Sequence, residues 1–338
     1  MIRKLFLTIL LIFAGLIHIL RPEVFTNAVP DFLIYKKEII SLTGFFEIFL
    51  AIGILIKKTQ SLSARLTAYY FILLIPIHAY VAINGIEMFG VSNKLALWIR
   101  TLLQYPLILL ADSFTKDAWV IEQIWRHVFF IHYKVDPQLI EKEIPFKLDL
   151  HEGSAVISIV PFFMERIRFP YLPPFPMISS LWEINLRTYV EIDGIKGIYF
   201  FTLDTDSALA EIIATKFFYL PYRLSKIKAI VIDGVYNFFH QRGVHNFELI
   251  ANIGDNDIKM TSFDLWCSER YCLFTLRKNQ IYQGIVRHSP WRMRSVKINM
   301  LKNNFTSILL TKNLEPINSM YSTFLKVRFI PFKKLGKL

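Results

Sequence analysis

Cysteine is nearly absent. Only Cys267 and Cys272 occur in 338 residues, with no C-x-x-C pair and no Cys/His ligand spacing, which excludes a disulfide framework and fits a reducing compartment. The eight histidines fall into no H-E-x-x-H or related pattern, so no metal site and no cofactor are expected. Internal repeats and low-complexity tracts are also missing. So is any RRM, KH, zinc-finger or helix-turn-helix signature, and the net charge of +12 is therefore not read as a nucleic-acid footprint.

Apolar residues are in excess, at 54% of the chain. That is too many for an ordinary water-soluble protein of this length, so part of the chain is expected to be solvated by lipid. The excess is uneven. Residues 1–117 carry 11 Lys+Arg and 7 Asp+Glu around long apolar runs, whereas the rest carries 28 and 20 in mixed sequence. The shift near Lys116 to Ala118 predicts a membrane domain over 1–117 and a soluble domain over 118–338.

Four runs, Leu5 to Leu20, Ile39 to Ile56, Leu62 to Ile83 and Leu95 to Ala111, each approach the ~20 residues that a bilayer core demands. Arg3 and Lys4 would suit a signal peptide, but no small-residue cleavage pattern follows and three further spans do. Those two bases, with Lys57, Lys58 and Arg65 between the second and third spans, predict both termini and the soluble domain in the cytoplasm. Arg21, Lys36 and Lys37 in the first outer loop work against that orientation, partly offset by Glu23, Asp31 and Glu38.

Ionisable groups inside spans are costly and need a partner or a purpose. His18, Glu47, His78, Arg100 and Gln104 are such groups, and Gly44 stands where a neighbouring helix can come close to Glu47. Two readings stand open: a polar seam that binds a quinone-like head group or relays protons, and a Glu47–Arg100 ion pair that locks the bundle. The segments AGLIHILRPEVFTNAVPDFL, SLTGFFEIFLAIGILI and LWIRTLLQYPLILLAD resemble DoxX-like membrane proteins. The resemblance implies four helices and, in some members, quinone-linked oxidation of sulfur compounds. A quinone is implied only on that reading.

From Trp119 onward the apolar period changes. Ser154–Val160, Glu183–Val190, Gly197–Leu203 and Lys228–Ile232 read as strands, as do NFELIANI, YCLFTL and IYQGIVRH. Asp193-Gly194 and Asp233-Gly234 supply hairpin turns. Helices are expected at Ser207–Phe218 and Phe263–Arg270, the second opened by Thr261 and Asp264. The expected fold class is thus a four-helix transmembrane bundle followed by an α+β domain, mainly an antiparallel β-barrel with helices outside.

One strand carries the site reading. Glu183, Asn185, Arg187 and Tyr189 share one face of Glu183–Val190, with Ile184, Leu186 and Val190 on the other. Its hairpin partner Ile198–Leu203 is apolar on both faces, which favours a cavity over solvent beside the polar row. Glu183 and Arg187 are roughly 13 Å apart along the strand and cannot satisfy each other. A solvent-facing row is the other reading. His132, the Glu269-Arg270-Tyr271 cluster, and Arg287 with His288 are further candidates, each also explicable as a group that holds loop backbone.

The segments WRHVFFIHYKVDPQLIEKEIP, ISIVPFFMERIRF, EINLRTYVEIDGIKGIYFFTLD, FFYLPYRLSKI, ERYCLFT and VRHSPWRMR resemble the YqjF-like family. That family is similar to the acetoacetate decarboxylase-like superfamily, an antiparallel barrel with a central cavity. The superfamily's decarboxylases use a Schiff-base lysine beside a second lysine. At the matching place this chain reads Leu220-Pro221-Tyr222-Arg223, while Glu183 matches the cavity glutamate. The resemblance therefore implies a cavity with Glu183, Arg187, Tyr222 and Arg223 for a small oxygenated or anionic ligand, without imine chemistry.

Ten Lys+Arg and a single acid, Glu315, lie between Arg292 and Leu338. This segment reads as a basic tail, either docked on anionic lipid head groups of the bilayer or simply solvated.

Overall fold

The structure, a computed structural model, describes residues 1–176, 179–309 and 314–338. It divides into two compact units, Met1–Ala118 and Trp119–Leu338.

The first unit is helical: α1 Ile2–Leu20, α2 Lys36–Leu55, α3 Gln60–Asn84, α4 Lys94–Leu102 and α5 Gln104–Asp112. Four stretches are long and apolar enough to cross a membrane by length and composition, the fourth spanning α4 and α5. Leu7, Leu11, Leu50, Ile54 and Ala68 form the unit's core, whereas Leu5, Phe6, Ile9 and Phe13 of α1 face outward. The α1–α2 crossing depends on glycine. A Cβ on Gly44 would lie 2.6 Å from the Gly15 carbonyl oxygen and 2.8 Å from the His18 Cβ. Such an approach is open only to residues without a side chain.

Glu47 is buried, but not against Arg100. Tyr70 donates its hydroxyl to Glu47 at 2.7 Å, and His18 Nδ1 stands 3.2 Å from the other carboxylate oxygen. Gln104 reaches His78 at 3.1 Å. The expected Glu47–Arg100 pair fails for a geometric reason: α4 packs on α3, whereas Glu47 of α2 looks toward α1 and α3.

The second unit is mainly β. Its strands are β1 Ile121–Val135, β2 Lys147–Leu148, β3 Ala155–Arg168, β4 Ser180–Ile192, β5 Ile195–Thr205, β6 Tyr222–Leu224 and β7 Lys226–Ile232. They continue with β8 Val235–Arg242, β9 His245–Asp257, β10 Cys272–Arg277, β11 Gln280–Arg287, β12 Arg294–Asn303, β13 Asn318–Phe329 and β14 Lys333–Lys337. Among the described residues three α-helices interrupt them: α6 Pro137–Ile140, α7 Ala208–Phe217 and α8 Ser262–Ser268. Ser207 caps α7, and Thr261 and Asp264 form a reciprocal capping box on α8.

The strands pair in the order β14-β11-β10-β5-β4-β3-β1-β13-β12-β9-β8-β7. In addition β11 pairs β13 at Val286–Phe329 and Arg287–Arg328, so the path from β11 through β4 to β13 returns on itself. Most pairings are antiparallel, but β10 and β6 each run parallel to β5. Asp193-Gly194 joins β4 to β5 and Asp233-Gly234 joins β7 to β8, with φ of 52° and 77° in the first turn and 50° and 76° in the second. Positive φ at both central residues is the turn that matches strand twist.

Strands β1, β3 and β4 are buried on both faces, between two cores. Ile131, Ile157, Ile184 and Leu186 belong to one, and Phe130, Val160, Phe162 and Tyr189 to the other. In β1 the alternation slips at a bulge, where His127 has φ 53° and the register against β3 shifts. Before it odd-numbered Ile121 serves the second core; after it even-numbered Val128 and Phe130 do.

The basic segment is not a tail. β13 lies between β1 and β12, and Met320, Tyr321, Leu325 and Val327 are buried. Lys326 and Arg328 project the other way and, with Arg168, hold Glu122 at 3.1, 2.6 and 2.7 Å. Alternating bases outside and apolar groups inside make an amphipathic strand that a charge count alone misreads. Lys312 lies outside the described residues.

Candidate functional site

Alternation along β4 sends Ile184, Leu186 and Val190 into one core and Glu183, Asn185 and Arg187 to the opposite side. There they border a cavity of about 70 Å³ together with Tyr222, Arg270 and His288. Since a water needs only roughly 10–15 Å³ on this measure, the space suits a small organic molecule. Its remaining wall is largely aromatic and aliphatic, including Phe130, Phe162 and Trp291.

Glu183 is 2% exposed. Tyr222 donates its hydroxyl to one carboxylate oxygen and Asn185 donates to the other at 3.2 Å. Burial pushes the carboxyl up to about 7, the charge of Asp204 adds to this, and the two donors and Arg187 oppose it. Asp204 has the reverse outcome. Burial would raise it too, but His240 at 2.8 Å, Arg242 at 2.6 Å and Thr202 at 2.6 Å hold it below the usual carboxyl range. Glu183 is therefore the carboxyl of the pair that exchanges a proton near neutrality.

Among the described residues no carboxylate comes within ion-pair distance of Arg187, although Glu183 feels its charge. Its Nε is buried without a hydrogen-bond partner, and its guanidinium lies 5.3 Å from the centre of the Phe130 ring. Arg270 arrives from the end of α8. Nη1 binds Asp149 at 2.7 Å and Nε donates to the Trp266 carbonyl at 2.6 Å, but Nη2 is buried and unpartnered. Asn185 Oδ1 is likewise unpartnered. Two cationic side chains with buried free N–H groups thus border a cavity whose carboxyl is raised to about 7.

Of the other candidates, His288 alone shares the cavity lining. Arg223 is exposed, because it follows Tyr222 in β6 and successive strand residues face opposite ways. Glu269 accepts from the Tyr271 hydroxyl and from the Trp291 backbone at 3.2 Å, and so fastens a loop. His132 is fully buried outside the cavity lining, in a chain in which its Nδ1 meets Ser158 at 2.7 Å and Ser158 meets the Tyr189 hydroxyl at 2.8 Å. Burial and the charge of Arg187 push His132 down to about 3, which keeps it neutral. His288 borders the cavity with Nδ1 directed to the Ser289 carbonyl at 2.7 Å. Among the described residues no group of three or more His, Cys, Asp or Glu is placed to hold a metal.

Arg270 was visible in the sequence only as a member of a charged triplet. Gln123 and Trp125 also border the cavity, yet the bulge in β1 hides their face in the sequence.

Residues 122–322 match the family DUF2071, described as "Uncharacterized conserved protein". Residues 7–115 match "Domain of unknown function (DUF8561)", in place of the DoxX-like family that these segments resemble. The uncharacterized protein YqjF of Bacillus subtilis is 33% identical over 202 residues, which cover 57% of this chain and 83% of that protein. Among solved structures, an acetoacetate decarboxylase from Legionella pneumophila aligns with TM-score 0.49 and 15% identity, covering 64% of this chain and 88% of that one. An acetoacetate decarboxylase-like enzyme from Sphingomonas wittichii aligns at 0.48 and 12%, covering 65% and 94%. The enduracididine biosynthesis enzyme MppR complexed with pyruvate aligns at 0.47 and 11%, covering 66% and 93%. With more than half of its length inside the first match, the chain belongs to the DUF2071 family of uncharacterized conserved proteins.

Proposed function

We propose that the second unit is a binding module for a small carboxylate, with the strand circuit acting as a barrel around the ligand. The observation that carries this reading is Arg187, a buried guanidinium with an unpartnered Nε and, among the described residues, no carboxylate within ion-pair distance, set on a cavity wall. An uncompensated buried charge is costly, and an anion accepted there removes the cost. A guanidinium fork also suits the two oxygens of a carboxylate. Glu183, titrating near 7, is the group able to exchange a proton with the bound molecule. Imine chemistry has no support, since no lysine is among the described residues that border the cavity. In the helical unit Glu47 is met by Tyr70 and His18, and Gln104 by His78, which supports reading these groups as fasteners of the bundle and not as a quinone site. The helices would tether the module to the cytoplasmic membrane on its inner side, as the bases Arg3, Lys4, Lys57 and Lys58 favour.

The test is thermal stabilisation of the full-length protein, in lipid nanodiscs, by two- to four-carbon mono- and dicarboxylates. Saturating ligand at 100 times its Kd raises stability by about 2.7 kcal/mol. Carboxylates that give no shift while neutral amides of the same size do would sink the proposal.

A further inference from the structure

Beside the polar cavity lies a second space of about 90 Å³. Its walls are apolar, with Ile167, Leu181, Phe169 and Phe332 among them. Met164, Leu220, Tyr222 and Phe329 border both spaces, so the two adjoin along these residues. The gap exists because of α7, which turns Ala210, Ile213 and Ala214 toward it. Residues 210 and 214 stand one turn apart on one helix face, and a leucine or phenylalanine at either would fill the space that two methyl groups leave. Phe218, just past the end of α7, packs edge-on against Phe332 at 5.7 Å. Gln123 borders both spaces as well, and its Oε1 accepts from the Trp125 indole at 2.8 Å.

An apolar space of this kind has little to offer water and much to offer hydrocarbon. On the other side of Leu220 and Tyr222 the polar cavity is bordered by Arg187 and Arg270, each with one buried N–H group that has no partner. A charged pole and a dry pole side by side complement a molecule built the same way. We propose that the ligand is a carboxylic acid with an apolar chain or ring, its carboxylate against Arg187 and Arg270 and its hydrocarbon part passing Leu220 and Tyr222 into the space under α7. This rests on the carboxylate reading above and adds the chemical class of what the carboxylate is attached to.

Calorimetric titration of the full-length protein in nanodiscs, with heats of empty discs subtracted, tests it using straight-chain acids from acetate to octanoate and the matching primary alcohols. Affinity is expected to rise about threefold to fourfold per added methylene until the space is full. Alcohols are expected to bind at least about tenfold more weakly, since they forfeit the charged hydrogen bonds. Ala214→Phe is expected to flatten the rise; if that variant fails to fold, the unmodified protein's acid series still decides. Acids that bind with no dependence on chain length would overturn this inference and leave the carboxylate module standing. Failure of every acid to bind would overturn both, and alcohols matching the acids would overturn the pairing of the two poles.

Discussion

Arg187 reaches the cavity because the residue before it, Leu186, is committed to the opposite core. Its charge is held where apolar packing would favour a neutral group, so Arg187→Met is expected to leave the unliganded protein at least as stable, a gain of order 1 kcal/mol. The same variant should lose carboxylate-induced stabilisation, and melting curves with and without ligand check both effects. Glu183 is held above the usual carboxyl value of 4.5, near 7, so the folded protein grips that proton more tightly than the unfolded chain. The stability this confers is complete below about pH 4.5 and is lost as pH rises through about 7. Relative to Glu183→Gln, the parent protein should therefore lose roughly 3 kcal/mol between pH 4.5 and pH 8, read from denaturation midpoints in detergent. Equal pH profiles for the two proteins would refute the account. The polar row of β4 is legible from alternation alone, whereas the free N–H of Arg270 is not, because it depends on Asp149 and Trp266 taking the other two positions.

Among the elements, those set by local chemistry are readable in advance. The Asp-Gly turns and the Thr261/Asp264 box each act within a few residues, and each marks an element end that the structure contains; at α7 the cap is Ser207, not a residue of the Asp204 to Asp206 stretch before it. Strand β1 escapes such reading because its bulge reverses which residues face which core, and β13 escapes because its bases mask an alternating apolar face. Gly44 belongs to this scale as well. Gly44→Val would drive side-chain atoms into the Gly15 carbonyl, separate α1 from α2 and pull His18 away from Glu47. A loss of about 2–4 kcal/mol is expected, from overpacking and the stranded carboxylate together, and thermal aggregation of the detergent-solubilised protein measures it. A variant that melts like the parent would show that the two helices do not need their close crossing.

At the scale of the molecule, the last strands decide whether the second unit exists. β13 pairs with β1 from Ile121–Phe329 to His132–Asn318 and also touches β11, so a chain ending at Met293 lacks the strand that joins both ends of the circuit. That truncation is expected to leave no protease-resistant second unit, while removal of Lys333–Leu338, which strips only an edge strand paired with β11, should leave it intact. Limited proteolysis of both truncations distinguishes a central strand from a dispensable tail. The sequence by itself determined what depends on composition and short spacing: four apolar stretches, the boundary after them, the hairpin turns, and a polar row on β4. Tertiary structure alone decided which long-range neighbours those residues meet. It set Glu47 against Tyr70 instead of Arg100, turned Tyr222 inward and Arg223 outward, brought Arg270 to the cavity that Arg187 borders, and made a strand of the basic segment. Such contacts join residues tens to hundreds of positions apart, and which of them form is settled by how whole faces bury against one another, information that no local spacing carries.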